Sequence, residues 1–182
     1  MTNKPLDTAI PVDRWGVPEQ SLRSASGRDL LRLCGLDRWP TRIWREPWFA
    51  AITLATPVFW AWVWWWNSGS PVVWGREEGL LLLSLILWQP VIEEFGFRGF
   101  LQGILLEKAS YRFLIGPVTI ANGLTSLAFS VAHLPTHPFL WVVGIFLVSL
   151  SLGYARERSG SLYPAIGLHA YFNAGYYLTA GL

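Results

Sequence analysis

The sequence predicts an all-α integral membrane protein: a bundle of about five transmembrane helices behind an N-terminal, interfacial helical extension. Three observations lead there. Charged residues make up only 14% of the 182 positions and hydrophobic ones 52%, with a mean hydropathy of +0.34; a soluble domain carries about 25% charged residues. The charges are unevenly placed, since eight of the 14 Lys and Arg and six of the 12 Asp and Glu lie in the first 46 residues. What remains divides into five apolar segments, residues 47–66, 79–106, 116–134, 139–154 and 164–182.

The extension comes first. Residues 2–26 are rich in Pro, Asp, Ser and Arg without sustained periodicity and read as a flexible cytoplasmic tail. From Asp29 to Arg45 the pattern changes: Leu30, Leu31, Leu33, Cys34, Leu36, Trp39, Ile43 and Trp44 alternate with Arg28, Arg32, Arg38, Arg42 and Arg45. An apolar face and an arginine face suit a helix in the membrane interface, broken near Pro40. A small helix packed on the membrane domain fits the same pattern. Residues 1–46 thus form a tail plus interfacial helix, and residues 47–182 the membrane-embedded domain. The extension is too polar, and too long before its first apolar run, for a cleavable signal peptide. Cys34 is the only cysteine, which rules out an intrachain disulfide and any cysteine-based metal cluster.

The first apolar segment ends in "WAWVWWW", Trp60 to Trp66, the composition of an aromatic belt at the lipid boundary. The second is long enough to span with tilt and is interrupted by Pro90. The fourth is short for roughly 30 Å of hydrocarbon at 1.5 Å per residue. With the N-terminus inside, Arg38, Arg42, Arg45, Lys108, Arg112, Arg156 and Arg158 flank the inner side, and the outer connections hold Arg76 alone. The expected topology is N-in, C-out, with the lipid bilayer as partner. A net charge of +2 without a dense basic run gives no support to nucleic-acid binding.

Against this background stands "VIEEFGFRGF", Val91 to Phe100. An ionisable group within a span costs roughly 2.5–3.5 kcal/mol on insertion scales. Glu94 and Arg98 are spaced i,i+4 and can pair, whereas Glu93 points about 100° away. One carboxylate is neutralised locally and the other is left for something else. His133 closes "FSVAH" one turn after Phe129, and His169 and Asn173 share a helix face in "HAYFN". A carboxylate, two imidazoles and a carboxamide are a kit for general-base and electrostatic catalysis. Singly, each has a structural reading, because Glu–Arg–His clusters and Asn also join helices in membranes. As a set drawn from three segments they favour chemistry. His137, between Thr136 and Pro138, reads as a solvated loop residue.

These residues carry a resemblance. "EEFGFR" resembles the EExxxR motif of the CAAX protease and bacteriocin-processing family (CPBP, also called Abi), "FSVAH" its FxxxH motif and "HAYFN" its HxxxN motif, in the family's order. The resemblance implies a glutamate-dependent intramembrane endopeptidase without metal or cofactor. It would cut near the C-terminus of a membrane-anchored protein or peptide precursor, and the chain's small size suggests a bacterial inner membrane. By position Glu93 is the general base, His133 helps hold the water, and His169 and Asn173 stabilise the oxyanion. Glu94 belongs with the catalytic set, ordering the site with Arg98, and Phe129 is a supporting position. Glu93 must be ionised to take a proton, which calls for hydration and for the field of Arg98; Pro90, Gly96 and Gly99 can loosen the helix and make room.

One expectation is geometrically awkward. Counted from the inner ends at 1.5 Å per residue, His169 lies about 10 Å in, Glu93 about 20 Å and His133 about 27 Å. A common site then requires strong tilts, a kink at Pro90 or other helix boundaries. The rival readings are a zinc-dependent membrane hydrolase with Glu93 or Glu94, His133 and His169 as ligands, although HExxH is absent, and a non-catalytic immunity or scaffold protein. A proton-coupled transporter could use the same buried groups, but no internal repeat supports it.

Overall fold

The computed structural model describes residues 27–40, 43–66, 75–115 and 117–180; the tail expected over residues 2–26 lies outside the described residues. Helix α1, Gly27–Cys34, is shorter than the alternation of Leu and Arg suggested. It stops because Gly35 takes φ +69°, with the Gly35 N–H bonded to Arg32 O at 3.0 Å and the Leu36 N–H to Leu31 O at 2.8 Å. That pair of bonds closes a helix around a left-handed glycine. A single helical turn, Ile43–Arg45, then leads into α2, Pro47–Trp66.

Helix α3 begins with Arg76–Leu83 and ends with Gln102–Glu107, and its apolar part, Glu78–Glu107, is 30 residues long. At 1.5 Å per residue this is about 45 Å, well beyond the hydrocarbon thickness. A two-stranded antiparallel hairpin follows, β1 (Leu114–Ile115) against β2 (Val118–Thr119). It occupies the start of the third expected segment. Helix α4 therefore runs only over Ile120–Ala132, capped by Thr119, whose Oγ1 accepts the Asn122 N–H at 3.0 Å. Helix α5, Phe139–Ser159, continues five residues past the expected end and stops at Gly160 with φ +64°. Helix α6 is Tyr163–Ala180.

Among the described residues, three helices have the length and composition to cross a membrane: α2 with 20 residues, the apolar part of α3 with 30, and α5 with 21. The other two of the five apolar segments form α4, with 13 residues, and α6, with 18 residues but diluted by His169, Asn173 and four tyrosines. Glu94, Arg98, Gln102, Asn122, Thr125, Ser126 and Ser149 are fully buried, while Leu54, Trp65, Leu80, Ile92 and Leu147 are exposed. An apolar exterior around a polar interior is the inverse of a soluble domain and belongs in lipid, where helices are joined by hydrogen bonds and small residues.

Two packing features position the site. Ile43, Phe49, Leu152, Ala155, Ala165 and Leu168 form a small apolar core tying α2, α5 and α6 together. Helix α1 lies on α3, with the Leu33 carbonyl so close to Gly103 that a Cβ there would meet it at 2.7 Å. Arg156 of α5, almost wholly buried, secures that helix by donating Nη2–H to the same Leu33 carbonyl at 2.9 Å.

Candidate active site

The signature helix α3 is not a regular α-helix. Its backbone widens twice, at Ser84–Trp88 and at Phe95–Leu101, where N–H groups reach back five residues instead of four: Gln89 to Ser84 O and Gln102 to Phe97 O. Between the two lies an ordinary stretch, Gln89–Glu94, containing Pro90. Wide turns of this kind occur mostly as single turns and often at functional sites.

Glu94 and Arg98 are both completely buried and bonded, Arg98 Nη1 to Glu94 Oε1, at 2.8 Å. The guanidinium is held on its other side by Ser149 of α5, through Nη2 to Oγ at 2.5 Å and to the carbonyl at 3.3 Å. Its Cζ lies 4.3 Å from the centre of the Phe129 ring, a favourable placement for a desolvated cation. Glu94 Oε1 also meets His169 Nδ1 at 2.7 Å, while Glu94 Oε2 is buried with no partner.

Glu93 is in a different environment. Its side chain keeps 20% of its exposure. Oε1 accepts a hydrogen bond from Gln89 Nε2 at 2.7 Å, and Oε2 lies 3.7 Å from His169 Nε2. The adjacent glutamates are thus separated by chemistry: one is enclosed and bonded to the Arg98 guanidinium and to His169, the other is tethered by a neutral amide and partly open.

Phe129 joins the three motifs. Its ring centroid is 5.0 Å from Phe97, 4.7 Å from His133 and 5.8 Å from His169. The two imidazoles can be no further apart than the last two distances laid end to end. His133 Nδ1 lies 2.8 Å from Phe129 O. A carbonyl only accepts, so Nδ1 carries the hydrogen, and in the neutral ring Nε2 is left with its lone pair. Asn173 is placed differently: its Nδ2 donates to Leu85 O of the first wide turn, at 3.0 Å. His137, expected to be solvated, is half-buried, 5.7 Å ring to ring from His133 and 2.9 Å from Thr136 Oγ1.

The different depths counted from the sequence do not keep the groups apart. Helix α4 starts at Ile120, so His133 sits about 20 Å from its beginning, and the wide turns shorten the rise of α3. Two polar partners were missed. Gln89 had a usable signal, one helical turn before Glu93. Ser149, inside an apolar run of α5, had none. Among the described residues no group of three or more His, Cys, Asp or Glu is arranged to hold a metal ion.

The family model described as Type II CAAX prenyl endopeptidase Rce1-like matches residues 75–175. An Escherichia coli protein described as "Uncharacterized 24.3 kDa protein" is 32% identical over 90 residues, 50% of this chain and 39% of that protein. The chain therefore spans about two fifths of that relative's length. No solved structure matches. Helices α1 and α2 fall outside the family match, whereas every residue from Glu93 to Asn173 falls within it. Because the matched stretch exceeds half of the chain, the protein belongs to the type II CAAX prenyl endopeptidase Rce1-like family.

Proposed function

We propose that the protein is an intramembrane endopeptidase of the glutamate type, cutting a peptide bond near the C-terminus of a membrane-anchored protein or peptide precursor. The observation that supports this most is the division of labour between Glu93 and Glu94. A general base must reach water, and only Glu93 is accessible. Its Oε2, the oxygen not engaged by Gln89, takes a proton from water as the water oxygen attacks the scissile carbonyl carbon. His133 accepts the water's other hydrogen through Nε2.

The tetrahedral oxyanion needs donors that act as charge develops. His169 supplies Nε2–H when doubly protonated. Nδ1–H is then directed at Glu94, and the imidazolium, Arg98, Glu93 and Glu94 together sum to zero charge. Asn173 has a second amide hydrogen beyond the one used on Leu85. Collapse of the intermediate breaks the C–N bond, and the proton held by Glu93 goes to the leaving nitrogen, giving an amine and a carboxylic acid that then loses its proton to water. In this reading the N-terminus faces the cytoplasm of a bacterial cell, and no metal takes part.

The test is cleavage of a reporter carrying a transmembrane segment and a C-terminal tail, by purified protein in lipid nanodiscs. Glu93→Gln keeps the hydrogen bond from Gln89 but cannot accept water's proton, and loss of a general base costs about 10²–10⁴-fold. Turnover should fall by that amount with an unchanged melting temperature. Wild-type turnover in Glu93→Gln would refute the assignment.

A further inference from the structure

Leu85 has a backbone carbonyl that its own helix cannot satisfy. In α-helical register its donor would be the N–H of residue 89, but the Gln89 N–H goes to Ser84 O. In the wide register that the chain adopts here, the donor would be residue 90, and Pro90 has no N–H. A carbonyl left unpaired in an apolar setting is costly, and helices broken by proline in membranes are made good by side chains of their neighbours. Asn173 Nδ2, donating at 3.0 Å from α6, is that substitute.

The consequence reaches Glu93. Helix α6 meets α3 at two levels. At one, Asn173 bonds Leu85. At the other, one turn earlier on α6, His169 lies 2.7 Å from Glu94 and 3.7 Å from Glu93. Between these levels Gln89, whose N–H completes the wide turn, holds Glu93 Oε1 with its side chain. Sliding or tilting α6 at the Asn173 level would change the gap between His169 Nε2 and Glu93 Oε2. A bond to main chain fixes that level more rigidly than one between two long side chains.

We infer that Asn173 is a positioning residue: its carboxamide replaces the N–H that Pro90 lacks, pinning α6 to the wide turn of α3 at the separation that sets His169 against Glu93. For its consequences in turnover this rests on the peptidase reading; the pin itself does not. It is distinct from an oxyanion contact, which would use the other amide hydrogen.

A double-mutant cycle separates the possibilities, using full-length wild type, Asn173→Ala, Pro90→Ala and the double mutant in nanodiscs, with melting temperature and reporter turnover as readouts. Pro90→Ala restores an N–H able to reach Leu85 O. Asn173→Ala alone should lower the melting temperature by several degrees and reduce kcat. In the Pro90→Ala background the thermal loss should largely vanish, and the loss of kcat should shrink by about tenfold or more. Asn173→Leu, matched in size and without a polar hydrogen at any pH, should melt like Asn173→Ala. This single variant keeps the inference falsifiable if Pro90→Ala does not fold. Additive melting temperatures, or wild-type melting of Asn173→Leu, would overturn the pin. Coupled melting with an equal kcat loss in both backgrounds would overturn its positioning role. Absence of cleavage by all proteins, with the melting temperatures coupled, would strike the peptidase reading and leave the pin standing.

Discussion

Glu94→Gln tests the least visible part of the site. In the wild type Glu94 Oε1 receives Arg98 Nη1 at 2.8 Å and His169 Nδ1 at 2.7 Å, and neither Glu94 nor Arg98 touches solvent. Removing one partner of a buried ion pair costs about 3–5 kcal/mol, because the remaining charge stays uncompensated. Ser149 and Phe129 hold Arg98 before and after the change, so they offset nothing. The amide oxygen can still accept from Arg98, which places the cost near the lower end, about 3 kcal/mol. For a chain of this length that is about 6–12 °C in melting temperature. Turnover should fall as well, since His169 loses the carboxylate that orients it. The assay is thermal unfolding in nanodiscs, with reporter cleavage on the same preparations. Glu94→Gln with Arg98→Met removes the orphaned cation and should regain part of the lost stability. Wild-type melting in the single variant, or a double variant less stable than the single, would refute the reasoning.

Two further outcomes follow from the same geometry. EDTA and phenanthroline should leave cleavage unchanged; a loss restored by zinc would move the reading to a zinc hydrolase with Glu93, His133 and His169 near the ion. Gly175→Ala should destabilise the seam between α2 and α6 by about 1–3 kcal/mol, because a Cβ there would overlap the Trp60 indole. Melting of that variant in nanodiscs checks it, and an unchanged midpoint would show that the indole can move aside.

The parts of the fold that could be read from the sequence are those set by local composition. The α2 boundaries follow from an uninterrupted apolar run between Glu46 and Asn67. What could not be read depended on contacts between distant residues. Hydropathy ended the fourth segment at Tyr154 because charges follow, yet α5 continues through Arg156, which is buried by the docking of α1 and bonded to Leu33 O. The Leu and Arg alternation implied a longer first helix, and a single left-handed glycine ended it. In the site, the Glu94–Arg98 pair was legible because both partners lie on one helix four residues apart. The contact between Glu94 and His169 spans 75 positions and left no local trace.

The same spacing rule explains why adjacent glutamates differ. The residue four after Glu94 is Arg98, and the residue four after Glu93 is Phe97, whose ring packs edge-on against Phe129 at 5.0 Å. Had the arginine stood at position 97, Glu93 would have been the neutralised carboxylate. As it is, Arg98 is drawn into the interior by Ser149 and Phe129 and takes Glu94 with it. Looking the other way, the residue four before Glu93 is Gln89, a neutral donor that holds one carboxylate oxygen without cancelling its charge. The residue four before Glu94 is Pro90, whose missing N–H leaves Leu85 O to Asn173. Four positions around one dipeptide therefore separate an enclosed charge from an open one, and the cost of burying the first is offset by a cation that bonds it and not the second.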